Sequence, residues 1–159
     1  MRFLPVGLDV QGKPCLVVGG GSVGTRKVTT LIGAGATVTI VSPAVTDDLA
    51  DLIRSGIVHW VQDSFREEYL DGVCIVVAAT DDQSVNAYVV ECANQRGVLF
   101  NDASSAERSQ IIFGALHKSE NDFTLAVFTD GRDPAAARRT RDEIAKILRR
   151  APPQEDLPS

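Results

Sequence analysis

Residues 15–27 read CLVVGGGSVGTRK and place Gly19, Gly21 and Gly24 at a G-x-G-x-x-G spacing. An apolar run precedes the glycines and a helical pattern follows them. The chemistry this spacing serves is anion binding by main-chain N–H groups. Gly19 permits a tight turn, Gly21 lets the backbone touch a pyrophosphate, and Gly24 lets the helix pack close to the strand. The first-turn N–H groups of a helix have no intrahelical acceptor, so they can face the anion. A dinucleotide is the ligand such a loop points to, and a plain glycine-rich turn is the alternative.

Two further places could meet the same ligand. Dinucleotide folds commonly hold the ribose hydroxyls with an Asp or Glu at the end of the second strand. Here that strand ends in Val41-Ser42-Pro43-Ala44, with neither a carboxylate nor an arginine for a 2′-phosphate. Ser42 can still donate and accept a hydrogen bond. The pattern keeps a dinucleotide and does not separate NAD from NADP. Downstream, Ala78-Ala79-Thr80-Asp81-Asp82 follows another apolar run, and Asn86 stands one helical turn later. This is the carboxyl end of a strand, where open α/β sheets bind ligands. Its small residues let a cofactor approach and Thr80 offers a hydroxyl, while Asp81 or Asp82 can equally cap a helix. His59, beside Trp60, reads as structural or solvent-facing, and His117 is the only other imidazole. No Ser–His–Asp order, H-E-x-x-H motif or Cys/His cluster is legible, and no metal site is expected.

These residues need a scaffold, and the chain spells one. Apolar runs at 15–18, 37–41, 58–61, 74–78 and 98–100 alternate with helical patterns at 23–32, from Thr46 to about 55, and from Ser84 to 96. Ser42-Pro43 is expected to stop the second strand, Thr46 to cap the second helix and Ser84 the third. Unalternated Val/Ile runs between helices predict a parallel sheet covered on both faces. After Asn101 the pattern changes. Residues 111–117 and 123–129 read as a hairpin, and Pro134 opens a last helix whose apolar stripe is Ala137, Thr140, Ile144 and Leu148. So small a region buries little by itself and is expected to pack on another subunit. The fold class is therefore α/β, a Rossmann-type parallel sheet over 1–107 followed by a hairpin-plus-helix dimerisation region over 108–150. The proline-rich tail 151–159 is expected to be disordered.

At 159 residues the chain suits one domain with a small appendage. Its net charge of −5 argues against general nucleic-acid binding. No apolar run approaches the length of a membrane span, and the N-terminus makes a poor signal peptide, so the cytoplasm is expected. Cys15, Cys74 and Cys92 read as buried free thiols. The charge is uneven: residues 132–150 carry seven basic side chains against three acidic ones, in an otherwise acidic protein. A solvated helix face accounts for that segment, as does a site for a polyanionic ligand.

Taken together these motifs resemble the precorrin-2 dehydrogenases of siroheme synthesis, including the N-terminal part of siroheme synthase. The resemblance is carried by Leu4-Pro5, Gly19-Gly20-Gly21 with Val23, Arg26-Lys27, Gly35-Ala36, Ala78-Ala79-Thr80-Asp81-Asp82 with Val85-Asn86, Asn101, and Thr129, Gly131 and Pro134 before an arginine-rich helix. It implies a homodimer that oxidises precorrin-2 to sirohydrochlorin with NAD. By position it places Ser22, Val23, Pro43 and Ala44 on the cofactor. It places Thr129, Gly131 and Arg138 on the tetrapyrrole, whose many carboxylates would suit the basic segment. The family usually has an Asp three residues after the Asn that ends the fifth strand, and here that position is Ser104. A serine cannot replace a carboxylate as base at neutral pH. Asp102 lies two residues earlier and is expected to substitute in part. Without that Asp, and without the further helical region of larger members, ferrochelatase activity is not expected, and a separate chelatase becomes a candidate partner. The competing function is a non-catalytic module that binds only a dinucleotide or a tetrapyrrole.

Overall fold

The valine- and isoleucine-rich runs become the strands of one parallel sheet. The structure, a computed structural model, describes residues 2–119 and 123–150. The sheet has five strands in the order β3-β2-β1-β4-β5. They are β1 (Pro14–Gly20), β2 (Thr37–Val45), β3 (Val58–Val61), β4 (Ile75–Ala78) and β5 (Leu99–Asp102). Between them run α1 (Ser22–Gly33), α2 (Asp47–Arg54) and α3 (Gln83–Gln95), with a short 3-10 turn at Glu67–Leu70 before β4. Neighbouring residues Val76 and Val77 are both fully buried, as a sheet covered on both faces requires. Val89, Cys92 and Ala93 of α3 join Leu16, Val18, Val76, Ala78 and Phe100 in one core cluster. Val17 points to the other face, toward α1.

Phe3–Ile111 form one compact unit, and Arg2 with the described residues from 112 to 150 form the other. In the second unit β6 (Ala115–Lys118) pairs antiparallel with β7 (Thr124–Val127), and α4 (Pro134–Arg150) packs on both. The hairpin is shorter than the sequence suggests. Its tip at 120–122 and the tail expected to be disordered, 151–159, lie outside the described residues.

Three local expectations change. Ser42-Pro43 does not stop β2, which runs on to Val45. Val18 pairs with Val41 but Gly20 with Val45, so β2 bulges here, and a bulge admits a proline that a regular ladder would reject. Of the residues expected to be able to cap α3, the cap is Asp82 rather than Ser84. One Asp82 oxygen accepts the Ser84 N–H at 2.8 Å and the Val85 N–H at 3.3 Å, and Ser84 sits inside the first turn. On α4 the buried residues are Ala137 and Ala145, while Thr140 and Leu148 are exposed. The contact follows the i, i+4 ridge 137–141–145, and Arg141 closes it by donating to the Leu116 carbonyl at 3.0 Å. Thr46 caps α2 as expected, its hydroxyl accepting the Leu49 N–H at 3.4 Å.

Candidate functional site

The glycine loop joins β1 to α1, and each glycine is fixed by a different neighbour. Gly19 has φ +111, and a Cβ there would run into the Ala79 carbonyl. A Cβ on Gly24 would run into the Gly19 carbonyl, and one on Gly20 into the Ala44 carbonyl. Gly21 is the exception, since a Cβ there meets nothing within 4 Å. Gly21 is also the N-cap of α1, and no side chain caps this helix. The first-turn N–H groups contributed by Ser22, Val23 and Gly24 therefore open on free space beside a residue that keeps that space clear. This arrangement fits the pyrophosphate of a dinucleotide. Farther along α1, burial and then the neighbouring Arg26 bring the Lys27 ammonium down to about 8.

At the end of β2 the hydroxyl of Ser42 is committed within the protein. It accepts from Gly20 N–H at 3.0 Å and donates to the Ala44 carbonyl at 2.7 Å. Ser42 thus shapes the loop rather than offering a free group to a ribose. β3 braces the same segment, with Trp60 Nε1 donating to the Ser42 carbonyl at 2.9 Å and Gln62 Nε2 to the Pro43 carbonyl at 3.2 Å. Pro43 and Ala44 are exposed and free to touch a ligand.

The exits of β4 and β5 are tied together by one buried amide. Asn86 is fully buried in α3. Its Oδ1 accepts the Thr80 N–H at 3.0 Å and the Thr80 hydroxyl at 2.8 Å. Its Nδ2 donates to the Thr80 carbonyl at 3.0 Å and reaches Ser104 Oγ at 3.4 Å. Asp102 and Ser104 meet as their spacing suggests, but not as a free base. Asp102 is 2% exposed. Its Oδ1 accepts from Ser104 N–H at 2.8 Å and Ser104 Oγ at 2.6 Å, and its Oδ2 accepts from Arg108 Nε at 2.7 Å. Burial pushes the carboxyl up, but the Ser104 hydroxyl, the Arg108 guanidinium and the Ser104 amide outweigh it and hold it below the usual carboxylate range. A carboxylate so enclosed orients its neighbours and is a poor acceptor for a substrate proton.

Behind this group, Ser109 Oγ accepts the Asp102 N–H at 2.9 Å and donates to the Ser105 carbonyl at 2.9 Å, so the loop after β5 is preformed. Asn101 Nδ2 donates to the Ile111 carbonyl at 3.0 Å, while its buried Oδ1 has no partner. Arg108 and Ser109 were not legible from spacing. Nothing in Ser104-Ser105-Ala106-Glu107-Arg108-Ser109 shows which side chain turns back on Asp102.

In the second unit the Thr129 hydroxyl is bonded to the main chain of Asp133, donating to its carbonyl at 2.9 Å. Gly131 has φ +76, a turn conformation that favours glycine, and Arg138 is exposed on α4. These three residues shape and flank the start of α4, where Asp133 Oδ1 accepts the Ala136 N–H at 2.8 Å. Among the described residues no group of three or more His, Cys, Asp or Glu side chains is placed to hold a metal, and no helix is long and apolar enough to cross a membrane.

Comparison with known proteins matches residues 6–115 to a family described as "Putative NAD(P)-binding". Siroheme synthase 1 of Pectobacterium atrosepticum is 40% identical over 148 residues, covering 93% of this chain and 31% of that protein. Siroheme synthase 1 of Aeromonas salmonicida is 38% identical over the same share of each chain. The chain thus spans about a third of the length of these curated relatives. Among solved structures, SirC, a precorrin-2 dehydrogenase, superposes with a TM-score of 0.79 at 32% identity, covering 91% of this chain and 71% of that one.

Proposed function

We propose, because the chain belongs to the NAD(P)-binding family of the precorrin-2 dehydrogenases, that it oxidises precorrin-2 to sirohydrochlorin with NAD as hydride acceptor, in the cytoplasm. The observation that carries this reading is the uncapped start of α1 beside Gly21, an anion cradle at the carboxyl end of a parallel sheet. NAD, when bound, supplies the redox chemistry by taking a hydride from the substrate. The protein's part is placement. Gly19 and Gly24 hold the cradle against the exit of β4, and Asn86 ties Thr80 and Ser104 together at the exits of β4 and β5. Residues 41–52 hold no Lys or Arg, and Asp47 and Asp48 in the first turn of α2 would repel a 2′-phosphate, which supports NAD over NADP. Ser104, in the position where the family usually carries an Asp, has its proton committed to Asp102, so this position offers no carboxylate to a metal. This supports dehydrogenation without chelation, with metal insertion left to a separate chelatase.

The deciding assay mixes the protein anaerobically with precorrin-2 and NAD and follows NADH absorbance. NADH formation dependent on precorrin-2 is expected. Binding of NAD without turnover would support the non-catalytic module instead.

The exposed apolar side chains of the second unit support a homodimer. Leu116, Phe123, Ile147 and Leu148 are exposed there, on the hairpin and on α4, with Ile147 67% exposed. Paired across two copies, such side chains would gain about 25 cal/mol for each Å² of apolar surface removed from water. Sedimentation velocity is expected to give a dimer, and a Leu116→Asp/Ile147→Asp variant a monomer. A monomeric parent would refute this assembly.

A further inference from the structure

The loop after β5 holds a guanidinium fixed by a buried partner. Within residues 99–111, Arg108 is the only cation. Its Nε bonds to Asp102 Oδ2 at 2.7 Å, its Nη2 reaches Ser104 Oγ at 3.3 Å, and its own N–H donates to Ser105 Oγ at 3.4 Å. Asp102 has no side-chain exposure, yet Arg108 keeps 41% of its side chain exposed. The pair is therefore asymmetric: the carboxylate is sealed in and the guanidinium stands at the surface. Asp102 is itself anchored by Ser104, and Ser104 by Asn86, so the fork is held from behind by groups that cannot move independently. Guanidinium has five N–H donors in a planar fork, and two directions are used here. What remains faces outward at the carboxyl end of the sheet, the edge at which open α/β folds bind ligands.

A surface arginine normally loses side-chain freedom when it grips an anion, and that loss weakens binding. Arg108 has already lost it. Asp102 lies behind the fork and draws no ligand of its own. A planar, outward, immobilised fork is matched by a carboxylate, which can accept two parallel N–H bonds.

We propose that Arg108 anchors one carboxylate of the substrate, with Asp102 and Ser104 acting through it as positioning residues. This rests on the reading of the substrate as a tetrapyrrole polycarboxylate. Arg108 sets where the macrocycle lies against the cofactor loop, and it makes substrate affinity sensitive to salt.

The test compares the parent with Asp102→Asn/Arg108→Met, in which neither partner is left charged without the other, and with Arg108→Lys, which keeps the charge but not the fork. Sirohydrochlorin binding is read by fluorescence quenching at low and high salt, NAD binding by titration, and precorrin-2 turnover by NADH formation. The double variant is expected to bind sirohydrochlorin about tenfold more weakly, the effect of losing one charge-assisted pair, with NAD affinity unchanged. Its salt dependence should also be shallower, and KM for precorrin-2 should rise more than kcat falls. Arg108→Lys should lie between, and it carries the test if the double variant does not fold. Sirohydrochlorin affinities within about twofold of the parent in both variants would overturn the anchor, since one lost charge-assisted bond is worth more than that. A parent that binds sirohydrochlorin through Arg108 but forms no NADH would overturn the activity and leave the anchor standing.

Discussion

Gly24→Ala is expected to disable the protein, and Gly21→Ala to disable only its cofactor binding. The two glycines are three residues apart and fail for different reasons. A methyl group at Gly24 would run into the Gly19 carbonyl, which is backbone in a tight turn and cannot swing aside. Either α1 lifts off β1 or the turn distorts, and both open the buried contacts of Val17 and Val28. The cost is about 3 kcal/mol or more. For a domain of this size that lowers the melting temperature by roughly 10 °C. At Gly21 the same methyl group meets nothing within 4 Å, and the backbone is extended there with φ −79. Stability should therefore change by less than about 1 kcal/mol, the gain in chain stiffness offsetting a poorer N-cap. The methyl group would instead occupy the space into which the α1 N–H groups point. NAD affinity is expected to fall about tenfold or more, as it would on losing close contacts between N–H groups and a charged phosphate. Differential scanning fluorimetry and NAD titration of both variants check this. A Gly24→Ala protein that melts with the parent would refute the close packing. A Gly21→Ala protein that binds NAD like the parent would place the pyrophosphate elsewhere.

The contrast shows what could be read from sequence and what could not. The spacing of Gly19, Gly21 and Gly24 was legible because Gly19 and Gly24 answer backbone demands that only glycine meets, while Gly21 keeps clear the space a ligand would take. The demand at Gly20 was not, because it comes from Ala44, which β2 brings alongside only by running past Pro43. Strands β1, β2 and β4 were legible from Val/Ile-rich runs, as a parallel sheet covered on both faces favours, while β3 (VHWV) and β5 (LFND) carry fewer such residues and leaned on the strand–helix alternation. Thr46 was legible as a cap because its partner is three residues away. Asp82 displaced Ser84 because both can cap, and only the direction of the chain leaving β4 decides between them. The stripe on α4 was legible in part: Ala137 is buried and Ile144 half-buried, but the second buried residue is the small Ala145 rather than the larger Thr140 or Leu148. In the site, Asp102 and Ser104 were singled out, but their state depended on Arg108 and Asn86. Those two side chains arrive through tertiary folding, and no sequence period announces them.

Asp102→Asn is expected to cost stability far more than turnover. The carboxylate is sealed from solvent and bonded to the Ser104 hydroxyl, the Ser104 amide and Arg108. An amide of the same shape keeps some of these bonds but turns an N–H group toward a donor and leaves Arg108 without its counter-charge. Arg108 is partly exposed and can regain water, so the loss should be about 2 kcal/mol rather than the larger cost of a fully enclosed orphan charge. The pH dependence distinguishes this from a simple packing defect. The folded state holds the Asp102 carboxyl below its ordinary value, so it favours the ionised form more than the unfolded chain does. That contribution is fully present above the unfolded value, near pH 4, and is lost as pH falls through the folded value. Urea denaturation should show parent and variant well separated at pH 7 and converging as the pH is lowered below about 4. Turnover should follow a different course. A group that abstracts the substrate proton is most effective with a value near the working pH, and this one is held on the far side of the ordinary carboxylate range. If Asp102 only positions Ser104 and Arg108, Asp102→Asn should keep kcat within a fewfold while KM for precorrin-2 rises. A fall in kcat of about a hundredfold or more, with KM unchanged, would instead identify Asp102 as the base.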